Sequence, residues 1–157
     1  MRTRSRSFTV AAAAILTILV AREAAAVISI LLTANSALGF GEIVATTAPG
    51  SVTVTPSGLR SASGGVLLGS GFGVSPASFT ATGDPNASYS ITLPAAATLS
   101  GGGGSMTVDT FTSSLGGLGT LGGGSTQTVS VGATLHVGAG QRPAAYSGIY
   151  DVTVAYN

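Results

Sequence analysis

The sequence predicts an all-β, immunoglobulin-like antiparallel sandwich of about seven to nine strands, preceded by an N-terminal signal helix. Three observations carry that expectation. The basic and apolar start differs in composition from everything after it, all 24 glycines follow residue 38, and short runs of period-two alternation recur through the glycine-rich part.

The start has the layout of a secretory signal peptide. Arg2, Arg4 and Arg6 form a basic opening, Phe8 to Ala21 is apolar without a charge, and Ala24-Ala25-Ala26 supplies small residues in an A-x-A arrangement. A membrane anchor needs roughly 20 apolar residues, and Arg22-Glu23 interrupts this run early. The expected division is therefore a signal peptide at 1–26 and a β-sandwich domain at 27–157, with export to the periplasm, cell surface or exterior and no stable membrane span after cleavage.

Charge limits the partners of the exported part. Residues 27–157 carry Arg60 and Arg142 against Glu42, Asp84, Asp109 and Asp151, a formal net of −2 (two minus four). Two cations and no lysine cannot neutralise a run of phosphates, so no nucleic-acid binding is expected. The chain has no cysteine, so sheet hydrogen bonds and burial must hold the domain without disulfides. So few charges also suit a protein packed against copies of itself or against a surface.

Each strand expectation rests on alternation of bulky with small or polar residues. Val52–Thr55, Ser78–Thr82, Tyr89–Leu93, Met106–Phe111 and Thr128–Val131 show it, and Ile149–Tyr156 sets Tyr150, Val152, Val154 and Tyr156 on one face. Turn formers separate the runs. Gly83-Asp84-Pro85-Asn86, with Pro85 at the second position of a type I turn, predicts that Ser78–Leu93 is a hairpin. The glycine stretches 101–104 and 122–124 read as flexible loops, with close backbone approach as the other explanation.

Motifs for chemistry are missing or out of context. Gly117-Leu118-Gly119-Thr120-Leu121-Gly122 matches the dinucleotide pattern, but no helix can follow Gly122-Gly123-Gly124 and position 142 is an arginine where an acid belongs. His136, the only histidine, is expected to face solvent from a strand. One histidine without cysteine makes no ordinary zinc site, and no G-x-S-x-G elbow occurs. No catalytic residue, metal ligand or cofactor is therefore assigned, and the expectation is a protein that is not an enzyme.

Residues across the exported part carry a resemblance. Ala37-Leu38-Gly39-Phe40-Gly41, the stretch from Gly83 to Pro94, Met106–Phe111, and Val131–Leu135 through Tyr146-Ser147-Gly148 to Asn157 resemble the exported bacterial family known as domain of unknown function 4402. The most specific part is Tyr146-Ser147-Gly148 with the closing Val152–Asn157; Ala145 departs from the glycine expected before it. That family is similar to spore coat protein U and to fimbrial subunits assembled by periplasmic chaperones and ushers. The resemblance implies an immunoglobulin-like sandwich and a surface or appendage role rather than an activity.

The chain ends fit that expectation. Tyr150, Val152, Val154 and Tyr156 reproduce an alternating terminal strand with a penultimate tyrosine, and Ile28, Ile30 and Leu32 project to one side of Val27–Thr33. Burying three such side chains contributes about 5 to 9 kcal/mol. That rivals the ~5 to 15 kcal/mol stability of a whole domain. Two placements are open: pairing within the chain as the first strand of a complete sandwich, or strand addition to a neighbouring copy or a periplasmic chaperone. The first function expected is thus a pilin-like or coat-like structural subunit, and the alternative is a self-contained secreted binding domain contacting a sugar or protein.

Overall fold

The computed structural model describes Val10–Ala11 and residues 29–157. Apart from Val10–Ala11, the expected signal peptide, its helix and Ile28 lie outside the described residues. The described chain contains strands and no helix: β1 (Val10–Ala11), β2 (Leu31–Ser36), β3 (Gly39–Phe40), β4 (Ile43–Val54), β5 (Arg60–Leu68), β6 (Val74–Ser75), β7 (Ala77–Thr82), β8 (Ser88–Thr92), β9 (Ala96–Gly101), β10 (Gly104–Ser113), β11 (Leu118–Thr120), β12 (Thr126–Val137), β13 (Tyr146–Ser147) and β14 (Thr153–Tyr156). Nine of them have four residues or more. Every pairing is antiparallel, as expected where no helical crossover can return the chain to a parallel neighbour.

Two sheets face each other. The smaller runs β1-β14-β8-β11; the larger runs β13-β9-β10-β12-β4-β5, with β7 and β2 attached through β12. The 12-residue β12 organises the larger sheet. Along one side it pairs with β10, and along the other its two halves take different partners, β7 over Thr126–Val131 and β4 over Ala133–Val137.

Alternation buries one side chain in two on β7 and β8, so Ala77, Phe79 and Ala81 face Tyr89 and Ile91 across the sandwich with Val129, Val131, Val152 and Val154. A second cluster, built on Val52, Val54, Val108 and Leu135, lies under the other half of the larger sheet. Phe40 of β3 completes it, paired with β6. Leu38 and Phe111 pack against both clusters and join them.

Several expectations are corrected. Ser78–Leu93 is not a hairpin: β7 pairs with β12 and β2 in one sheet, whereas β8 pairs with β14 and β11 in the other. The turn is closed by the Ala87 amide donating to the Asp84 carbonyl at 3.2 Å, and Asn86 has φ 62°. A positive φ after Pro85 is the type II arrangement, not type I. It carries the chain from one sheet to the other, which lets both strands turn their apolar faces inward.

The stretch 101–104 is the tight connection of the β9–β10 hairpin, where Gly101 and Gly104 pair and Gly104 has φ 113°. Around Gly122, Gly123 and Gly124, by contrast, the space is open. The last strand is shorter than the alternation suggests, because Ile149–Val152 approach β14 without pairing. Two long strands carry no bulky alternation in sequence: β5 opens with Arg60-Ser61-Ala62-Ser63-Gly64, and β9 with Ala96-Ala97-Thr98. They are held by partners, β4 and β10, rather than by their own pattern.

Candidate functional site

The two ends of the domain come together at one border of the sandwich. Among the described residues β2 pairs with β7 and no other strand, and Ile30 and Leu32 are buried while Leu31 on the opposite face is exposed. The hydrophobic face expected at 28–32 is therefore, in its described part, turned into the chain's own core. β14 comes close to β2 without pairing with it. One edge of β14 is occupied by β8, over Thr153↔Thr92 to Tyr156↔Tyr89. Among the described residues the other meets only Val10 and Ala11, which oppose Val154 and Thr153.

All four residues singled out at the C-terminus face the first core cluster. Val152 and Val154 are fully buried, and Tyr150 and Tyr156 pack against the cluster from its margin. Tyr150 stands against Phe111 with ring centroids 5.1 Å apart and planes tilted by 38°. Burial disfavours its phenolate, and its hydroxyl pKa is pushed up to about 12. Tyr156 keeps its hydroxyl at the surface of the core, where it accepts a 2.6 Å hydrogen bond from the Asp84 amide. The strand is thus anchored by its side chains, with β8 on one backbone edge and Val10–Ala11 on the other.

Tyr146-Ser147-Gly148 has a separate structural task. Tyr146 and Ser147 pair with Gly101 and Ser100 at the far edge of the larger sheet. The Tyr146 hydroxyl donates to the Arg142 carbonyl at 2.7 Å and accepts from Gln141 Nε2 at 2.8 Å. Gly148 passes so close to the Thr98 carbonyl that a Cβ has no room. The three residues fix the chain beside the larger sheet before it crosses to β14, and Ala145 takes part through its backbone carbonyl, which abuts Gly101.

Sequence reasoning missed one polar cluster. His136 faces solvent as expected, yet its Nε2 lies 2.9 Å from Oδ1 of Asp109, which also accepts a 2.9 Å bond from the Thr110 hydroxyl. The His136 bond, and then that of Thr110, hold the Asp109 carboxyl below its ordinary range. Thr110 has φ 51°, at the irregularity between Asp109 and Thr112 in the β10–β12 ladder. Both bonds end on one carboxylate oxygen, and the hydroxyl is bound to the acid rather than to the imidazole, unlike a nucleophile–base pair. An open cleft of about 380 Å³ between Leu93, Phe111 and Gly117 is lined by apolar and hydroxyl groups without a titratable side chain. Among the described residues no three His, Cys, Asp or Glu side chains gather as metal ligands. No helix of the described residues is long and apolar enough to cross a membrane. Gly119 of the glycine pattern sits in β11 opposite Tyr89, with no helix after Gly122.

Fold and edges together define an antiparallel β-sandwich domain whose first and last strands meet at a common border. The chain belongs to the family described as Domain of unknown function (DUF4402), whose model matches residues 30–156. No curated protein and no solved structure matches it.

Proposed function

We propose that this chain is an exported, non-enzymatic structural protein of the cell surface, a pilin-like or coat-like subunit that receives a strand beside β14. The observation that carries the proposal is the outer edge of β14, which among the described residues is met only by Val10 and Ala11. Both residues belong to the segment whose composition is that of a cleaved leader. Its removal leaves the β14 donors and acceptors that point away from β8 without a partner among the described residues, directly above a core that includes Val152 and Val154. Such an edge is a template for strand addition by a neighbouring copy or by a periplasmic chaperone.

A second reading has an observation of its own. β2 pairs inside the chain and buries Ile30 and Leu32, which favours a self-contained secreted domain that binds a sugar or a protein through its loops. The two readings part on deletion of residues 27–33 from the exported protein. Loss of stability restored in trans by a peptide of that segment, with assembly recovered, supports strand exchange. An intact full-length protein that stays monomeric on the cell and in solution supports the self-contained domain.

A further inference from the structure

The turn that carries the chain from one sheet to the other contains the one Asp-Pro bond of the sequence, Asp84-Pro85. Its carbonyl is the group that closes the turn, accepting the Ala87 amide at 3.2 Å, while the Asp84 amide is fixed on the Tyr156 hydroxyl at 2.6 Å. Both backbone groups of Asp84 are therefore held. Its carboxyl is not. An aspartate that opens a turn commonly bonds the backbone two residues on, yet here the carboxyl makes no hydrogen bond or ion pair among the described residues. Pro85 and Asn86 are exposed, so water reaches the bond. Asn86 is also held at φ 62°, a left-handed conformation that a cut chain need not keep.

We infer that Asp84-Pro85 is a self-processing site, at which the Asp84 carboxyl cuts its own peptide bond in mild acid. One carboxyl oxygen bonds to the backbone carbonyl carbon of the same residue and closes a five-membered ring. The C–N bond then breaks with its electron pair on the Pro85 nitrogen, which takes the carboxyl proton. Water opens the cyclic anhydride, leaving two carboxyl groups on Asp84 and a secondary amine on Pro85, so the sum is hydrolysis with water the only reactant consumed. The chain has no lysine to intercept the anhydride. The fold's contribution is the Ala87 amide, which stands on the oxygen where charge gathers as the ring closes. With the peptide plane held at both ends, only the free carboxyl has to move. The titratable groups at this end are the phenols of Tyr156 and Tyr89, which do not titrate in acid, and the terminal carboxyl of Asn157, whose amide donates to the Ser88 carbonyl. Residues 121–125, which also bond the turn through Leu121 and Ser125, carry none. Cleavage leaves one body of two chains, β2 to β7 on the first and β8 to β14 on the second, joined by β7 and β4 along the two halves of β12.

The test holds the protein expressed from the full chain at about pH 4 and about pH 7, a range over which aspartate carboxyls lose their protons, and follows it by intact mass and N-terminal sequencing. In acid, two fragments are expected, one ending at Asp84 and one beginning Pro85-Asn86-Ala87, which part in denaturing gels and elute together under native conditions. The folded parent is expected to be cut about tenfold or more faster than the same chain unfolded in urea at the same pH. Asp84→Ala leaves both backbone bonds in place and is expected to keep the parent's melting temperature and abolish cleavage. Asp84→Glu, which keeps the charge and enlarges the ring, is the second variant and is expected to be cut several-fold more slowly. A folded parent cut no faster than the unfolded chain overturns the inference. So does cleavage that persists in Asp84→Ala, or that runs at the parent's rate in Asp84→Glu.

Discussion

The hydroxyl of Tyr156 accepts a hydrogen bond from the backbone amide of Asp84 at 2.6 Å, joining the penultimate residue to the turn that carries the chain between the two sheets. The bond gives the terminal tyrosine a physical reason: it fixes β14 at its free end while the aromatic ring closes the core margin. Tyr156→Phe keeps the ring and leaves the amide unpaired. The expected loss is about 1 kcal/mol, read from denaturant unfolding at constant m-value. Tyr156→Ala is expected to cost clearly more, because packing is lost as well.

The segment that enters β2 has two faces with opposite consequences. Ile30→Ala and Leu32→Ala are each expected to cost ~2 to 5 kcal/mol, since both side chains are buried. Leu31→Ala, at a side chain 44 % exposed, is expected to stay within about 0.5 kcal/mol. Equal effects at the three positions contradict the register of β2 against β7.

Gly148 is a third test. A methyl group there meets the Thr98 carbonyl and the Leu99 side chain. Gly148→Ala is expected to destabilise by ~1 to 3 kcal/mol, and an unchanged melting temperature contradicts the close passage of this segment.

Alkaline titration reads the packing of Tyr150. Its hydroxyl pKa is raised from 10.0 to about 12 by burial, so the folded state keeps a proton that the unfolded chain releases. The stability that Tyr150 contributes is therefore fully present below pH 10 and is lost as pH rises toward 12. Tyr89, raised in the same direction by burial, adds to the decline. Tyr150→Phe is expected to make the fall in melting temperature between those pH values shallower. A parent protein whose stability does not change over that window contradicts the burial of both phenols.

Much of this fold was legible because a strand with one buried face writes its period into the sequence. β7 and β8 alternate so regularly that their inward residues follow from parity alone. β5 and β9 were not legible, since their serines, alanines and glycines do not alternate in size and their order is imposed by β4 and β10. The turn at Asp84–Ala87 looks like a hairpin turn in sequence because local turn chemistry is the same whether the chain returns to its own sheet or crosses to the facing one. At the ends, the inward faces of Ile30, Leu32, Val152 and Val154 were readable from parity. Contacts across long sequence separation were not: Tyr156 with Asp84, and His136 with Asp109, depend on a sheet crossing and on an irregular ladder.

Amide hydrogen exchange at Thr153–Tyr156 of the exported, processed protein is the most direct measurement of the open edge of β14. Amides of β14 that point away from β8 are expected to exchange quickly in the isolated subunit and to become protected when it assembles on the cell or binds a chaperone. Protection at these amides that is already complete in the isolated subunit and unchanged on assembly contradicts strand addition at β14.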